Sequence, residues 1–481
     1  MSGLMSRGVV LTASRLSNFA ILLLSPLLLV RILDIESYGR YQEFMIYATL
    51  LVMICGFGID SSLTYFLPRY PNQKRQFVSQ NSALILVYSS TCISLFLFAR
   101  KPFLEIASYD FTLPLAAYVF CFVNLNWLEY YWIVKRRTDL VLYYSAGRLF
   151  VRVTVLLVVA YMTRDLETIL WSLVCVEASR LFVVAAYLLR TNLLTFAMDW
   201  ARIREQLRFV GPIGLAGILQ QASRNIGKLF VGSVLGPVAL AYYAVASYML
   251  PIVMVIRGSI ADVIFPELVR AKDNPQVALR LWQRSNVVFC FLLFPPFVLL
   301  MHYAELFVTT LFTDEYLPAV PVFQVYALWL LRRCFTMDVL LRTRGKSGFM
   351  LTGTGLSFAI NLTLMVALYR WLGLIGPAVA YIGAEILLEI YYATLVKKEF
   401  KLNIGTLVDW RGILRVGAGC LAGIPLLIAA EYIPGPELVR AAVASLAFVV
   451  VCWLVAYRLG VTDIGRIARF ALSPRAWREA G

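Results

Sequence analysis

The stretch GILQQASRNIGKLFVGSVLG, residues 217–236, sets Gln220, Gln221, Arg224, Asn225 and Lys228 among apolar neighbours. On a helix of 3.6 residues per turn these five side chains share an arc of about 140°. Ile218, Leu219, Ala222, Ile226, Leu229 and Phe230 take the opposite arc. Two cations and three amides on one face offer donors to an anion and to hydroxyl groups. The planar fork of arginine suits phosphate oxygens in particular, because it bonds them in pairs. A seam against another helix would want acidic partners, and this stretch has none. A water-filled, cationic vestibule fits the residues better.

Other charges fall in apolar surroundings. A charged side chain facing lipid at mid-bilayer costs at least about 2.5–3.5 kcal/mol. Such residues therefore line a cavity, pair, or reach for the interface. Arg257, Arg332 and Arg333 can close an anion site from other helices, since one helix cannot surround an anion. Arg148 and Arg152 lie one turn apart. Arg180 has Glu177 three residues before it, the spacing of a local pair. Glu129, in LNWLEYYW, is either a protonatable coupling group or a partner of Arg148. Glu385 and Glu389 share a helical face and either couple to ions or pair with cations elsewhere.

Several chemistries are excluded. His302 is the sole histidine, so there is no histidine-based metal centre or relay. The eight cysteines fall in apolar segments without a CxxC, which reads as packing. GKS at 345–347 follows Leu340 where a phosphate-cradling loop needs glycine. TGTG at 352–355 reads as close helix packing. No cofactor and no metal are implied. A membrane-bound polymerase or glycosyltransferase would want a long outer loop with clustered catalytic residues, and the outer loops are short.

The elements that carry these residues follow from hydropathy. The 481-residue chain is 60% hydrophobic and 15% charged. Apolar runs long enough to cross a bilayer recur along it. Fourteen spans are predicted, at 8–33, 41–66, 79–99, 112–134, 143–162, 168–189, 208–234, 239–265, 284–312, 318–341, 347–370, 373–396, 412–433 and 437–457. The first is too long for a signal-peptide core and lacks a cleavage site, so it is read as a span. Counting cations toward a span end with the adjoining loop, 29 of the 44 Lys and Arg fall to the termini and alternate loops, 7 to the remaining loops and 8 lie deeper within spans. That bias predicts cytoplasmic termini. It also explains the net charge of +16 without nucleic acid. The longest connection, 190–207, reads as an amphipathic linker helix on the cytoplasmic surface. Residues 8–43 and 211–245 align at an offset of about 202, LLVRILDIESYGRY against LFVGSVLGPVALAYY. Parallel halves follow: 1–189 with spans 1–6, the linker 190–207, 208–396 with spans 7–12, and 397–481 with spans 13–14 and a basic tail. The fold class is an all-α polytopic membrane protein of about fourteen transmembrane helices.

DIESYGRY after the first span, FPELVRAKDN after the eighth, LFTDEYLPAVPVFQVYAL and RGKSGFMLTGTGLSFAINLTLMVALYRWLGLIGPAVA occur in an order that resembles the polysaccharide repeat-unit (Wzx-type) flippases. These belong to the multidrug/oligosaccharidyl-lipid/polysaccharide exporter superfamily. The resemblance covers nearly the whole chain. It implies two pseudo-symmetric helical lobes around a central cationic cavity. It implies movement of an undecaprenyl-diphosphate-linked oligosaccharide across the bacterial inner membrane by alternating access, for surface polysaccharide synthesis. The implied partners are the lipid-linked oligosaccharide, membrane lipid, and the polymerase and glycosyltransferases of the pathway. Two alternatives stay open: a drug or metabolite antiporter of the same superfamily, which would want net acid in its cavity, and a non-transporting membrane subunit of a secretion complex.

Overall fold

The computed structural model describes residues 24–135, 137–191, 193, 195, 198–248, 268, 274–343, 348–400 and 407–461. Every regular element among them is a helix. Eight of the described helices are long and apolar enough to cross a membrane, nine if one bent pair counts as a span. Two of the eight stretches, Trp200–Ala246 and Thr352–Phe400, are 47 and 49 residues long. The first holds the seventh span and the start of the eighth, and the second holds most of the eleventh and all of the twelfth. The first span, before residue 24, and 249–265 of the eighth lie outside the described residues. Arg257 goes with the latter. The fold is that of a polytopic all-α membrane protein, and it divides into two compact units, Met1–Ala244 and Val245–Gly481.

In the first unit, Asp34 accepts from the Ser37 amide at 3.0 Å and starts α1, Ile35–Gly56. That cap is the physical content of the DIESYGRY turn. α1 ends where Phe57 and Gly58 adopt left-handed backbone, with φ of 45° and 71°. The chain bends by 53° into the stretch that holds α2, Leu63–Arg69. α3 is Lys74–Phe98, α4 Thr112–Leu125, α5 Trp127–Val134, α6 Thr138–Thr163 and α7 Leu166–Thr191. The sequence span 112–134 is thus two helices, parted at Asn126. Glu43, buried on α1, accepts from the Ser108 amide at 3.1 Å and from its hydroxyl, which ties down the loop between α3 and α4.

α8, Trp200–Ala246, begins at Asp199, which accepts from the Ala201 amide at 2.9 Å. Residues 200–207 are therefore the first turns of the next span and not a separate surface helix. WARIREQLRFV contains no breaker, and Pro212 is accommodated. The first non-helical residue is Gly236, at φ 84° and ψ 178°, before Pro237. Gln206 locks the start of α8 to α2 and α3. Its amide donates to Ser62 Oγ at 2.6 Å and to Asn81 Oδ1 at 2.9 Å. Asn81 in turn donates to Asp60 at 3.4 Å, and all four side chains are buried.

α8 also meets α1 at backbone distance. A Cβ on Gly39 would lie 1.9 Å from the Pro237 carbonyl oxygen, and one on Gly214 would lie 2.4 Å from that of Phe57. Only glycine permits approaches of this kind.

In the second unit, Asn274 accepts from Val277 at 3.3 Å and caps α9, Pro275–His302, with proline at the first turn. Then come α10, Ala304–Leu311, α11, Val320–Arg332, α12, Met337–Thr343, α13, Gly348–Leu372, and α14, Gly376–Phe400. A cluster around fully buried Trp282, whose indole donates to the Thr336 carbonyl at 3.0 Å, holds α9, α12 and α14 together. Gly353 of the TGTG stretch faces Tyr392, where a Cβ would meet the phenol oxygen at 2.7 Å. The packing order of the first unit recurs: α3 on α4, α4 on α7, α6 on α7 there, and α9 on α11, α11 on α14, α13 on α14 here.

α15, Trp410–Glu431, and α16, Glu437–Arg458, form a hairpin. Its seam is a small-residue pattern. A Cβ on Gly419 would lie 2.5 Å from the Cys452 carbonyl, and one on Gly423 2.6 Å from the Phe448 ring. His302 at the end of α9 reaches Glu431 of α15 at 3.2 Å.

Candidate functional site

α8 carries the polar stripe. Gln220 and Arg224 are exposed; Gln221, Asn225 and Lys228 are half-buried. Asn225 donates to the Gln221 carbonyl at 3.1 Å, so that amide is anchored on its own helix. Arg224 and Lys228 form no ion pair with any described residue. The turn between them keeps them on one side of the helix, 40° apart by the helical period. The helix therefore presents two cations that no described residue compensates, flanked by amides that can hold water or hydroxyl groups.

Several other charges pair, whereas Arg152 lies over the Tyr118 ring at 5.7 Å and donates to the Met45 sulfur at 3.4 Å. In the first unit, Arg180 and Glu177 meet at 2.7 Å, as their i,i+3 spacing implies, with side chains 4% and 0% exposed. Arg148 reaches Glu129 at 3.2 Å and Glu177 at 3.5 Å. Arg180 also donates to Tyr144 at 2.8 Å and to the Leu125 carbonyl at 3.1 Å. The Phe122 ring lies under both guanidiniums, 4.5 Å from that of Arg148 and 5.6 Å from that of Arg180. Two carboxylates and two guanidiniums thus neutralise one another across α5, α6 and α7. Of the two readings open for Glu129, the structure displays the pair with Arg148. The sequence singles out Glu129 alone as a site residue; Glu177 and the Phe122 ring complete the group. Glu177 was signalled by Arg180 three residues on, whereas Phe122 had no signal.

In the second unit, Arg332 lies 3.1 Å from Glu385 and 3.0 Å from Glu389. Glu389 also accepts from the Met337 amide at 3.3 Å. The shared face of the two glutamates is what brackets the arginine. Arg333 points elsewhere, over the Trp329 ring at 4.0 Å. Arg332 is thus compensated inside its own unit, unlike Arg224 and Lys228. Among the described residues, no group of three or more His, Cys, Asp or Glu is placed to hold a metal ion.

A sequence profile described as polysaccharide biosynthesis protein matches residues 28–321, more than half of the chain. No curated protein sequence matches. Among solved structures, the chain superposes on a lipid II flippase, MurJ, in an inward closed conformation with a TM-score of 0.71 at 13% identity, covering 96% of this chain and 99% of that one. It superposes on an inward-facing multidrug resistance transporter of the MATE family, in the MOP superfamily, with a TM-score of 0.56 at 13% identity, over 81% of this chain and 94% of that one. The likeness to both is one of fold. The chain belongs to the polysaccharide biosynthesis protein family.

Proposed function

We propose that this protein flips an undecaprenyl-diphosphate-linked oligosaccharide from the cytoplasmic to the outer leaflet of a bacterial inner membrane. The observation that carries the proposal is the uncompensated pair Arg224 and Lys228 on α8. Uncompensated cations at membrane depth are expensive unless water or an anion accompanies them. A lipid diphosphate supplies that anion, and its sugars suit Gln220, Gln221 and Asn225. A drug antiporter taking cationic substrates would be repelled by the same stripe. Arg332 and Arg333 are occupied by glutamate and indole, so Arg224 and Lys228 are the primary phosphate ligands.

The test is flipping of lipid-linked oligosaccharide in vesicles, normalised to protein. Arg224→Gln should lower the rate at least tenfold with normal accumulation. Arg224→Lys should keep part of the rate, because charge survives and the fork does not. Full activity after neutralising both Arg224 and Lys228 would sink the proposal and leave the stripe as a packing seam.

The orientation rests on the Lys and Arg bias between loops. In a cysteine-free background, Glu105→Cys should react with an impermeant thiol reagent applied to intact cells, and Asn72→Cys should not. Labelling of Asn72→Cys alone would invert the orientation.

A further inference from the structure

A second basic feature lies away from α8, where α2, α3 and α5 end at one rim of the first unit. A notch of about 150 Å³ there is lined by Leu67, Pro68, Pro71, Lys74, Val134 and Lys135. Two lysines share it, and neither pairs with a carboxylate of any described residue. The nearby acid Asp139 is taken by Arg137 at 3.0 Å. Lys135 lies over the Tyr131 ring, with its ammonium 5.5 Å from the ring centroid. Burial first, and then the neighbouring Lys74, pushes the Lys135 amine below the usual lysine range. Two like charges held together without a counter-charge repel, and an anion between them removes the repulsion.

The walls narrow the choice of anion. Leu67, Pro68, Pro71 and Val134 are apolar. They would give nothing to a free phosphate ion, but would pack against the glycerol and first methylenes of a lipid. The apolar run of α3 begins at Ala83, beyond the polar stretch 79–82, so the notch lies at the polar end of that helix. α3 starts at Lys74 with no acid in its first turn, so the positive end of its dipole is not offset there. Basic pockets at helix ends on one leaflet are suited to anionic headgroups.

We propose that the Lys74–Lys135 notch binds the phosphate of an anionic phospholipid of the leaflet it faces. The proposal is independent of what the protein transports.

The test uses full-length protein in a neutral detergent and reads thermal unfolding. Phosphatidylglycerol is added in one arm, phosphatidylcholine in a second and millimolar inorganic phosphate in a third. Phosphatidylglycerol should raise the unfolding temperature more than phosphatidylcholine does, because a ligand that binds the native state stabilises it. In Lys74→Gln/Lys135→Gln at least half of that difference should vanish, and Lys74→Arg/Lys135→Arg should restore it. Lys101→Gln, a basic residue elsewhere, should leave it unchanged. Should the double variant not accumulate, Lys135→Gln alone, at an exposed residue, decides. An unchanged difference in the neutralised protein would overturn the proposal. So would a full shift from inorganic phosphate alone, which would make this a simple ion site.

Discussion

Glu177→Gln is expected to lose most of the folded protein. The Glu177 side chain is wholly buried and lies 2.7 Å from Arg180 and 3.5 Å from Arg148. The amide keeps the shape and loses the charge. Arg180 would then be buried with no carboxylate, and Arg148 would retain only Glu129. Removing one partner of a buried pair costs about 3–5 kcal/mol, because the other charge stays behind in a poorly solvating place. Glu177→Gln/Arg180→Gln should be milder than the single change, since both charges leave together. Asp139→Asn breaks the exposed Arg137–Asp139 pair and should have no measurable effect. Abundance and unfolding temperature in detergent report the outcome. A Glu177→Gln protein as abundant and as heat-resistant as the parent would show that the four-charge group does not hold α5, α6 and α7 together.

Gly39→Ala, a change of one methyl group, is expected to separate α8 from α1 at Pro237. The added carbon would lie 1.9 Å from a carbonyl oxygen and 2.5 Å from the carbonyl carbon. Neither is the end of a flexible side chain, so backbone must move. Overpacking a close contact typically costs about 1–3 kcal/mol, and backbone obstruction belongs at the upper end. Leu240 and Ala241, just beyond Pro237, are fully buried. In a cysteine-free background, a cysteine at Ala241 should be silent toward a thiol reagent with Gly39 and reactive with Gly39→Ala. Flipping should fall in parallel. Gly147, with nothing near its added carbon, supplies the control: Gly147→Ala should be neutral in both readouts. Equal reactivity in the two proteins would show that the Gly39 contact is dispensable.

Spans were legible because about twenty apolar residues admit few alternatives to a membrane helix. The break at Gly236-Pro237 was legible from breaker chemistry, whereas the second span, read from 41, belongs to a helix that starts six residues earlier at the Asp34 cap. The bend after Gly56 was not, because it places a phenylalanine, Phe57, in left-handed backbone that its side chain does not favour. The continuity of 200–207 with the following span was missed because an amphipathic stretch looks the same whether it lies on a surface or begins a span. Ion pairs divide by sequence distance. Glu177 and Arg180 are one helical turn apart and could be read locally. Arg332 and its glutamates are more than fifty residues apart, so their meeting depends on how α11 packs on α14. For that reason Arg332 could be grouped with Arg224 from sequence, although the fold compensates one and leaves the other free of described partners.

The α15–α16 hairpin bears on the order of assembly. Its seam joins residues close in sequence: the thiols of Cys420 and Cys452, 32 positions apart, lie at 3.1 Å. Closing so short a loop costs little entropy, and the glycines let the two helices meet without help from other helices. The pair can therefore form as soon as both helices have entered the bilayer. It then joins α9 as a finished piece. The hairpin is thus among the quickest parts of the second unit to fold, and completion of that unit waits on docking rather than on helix pairing.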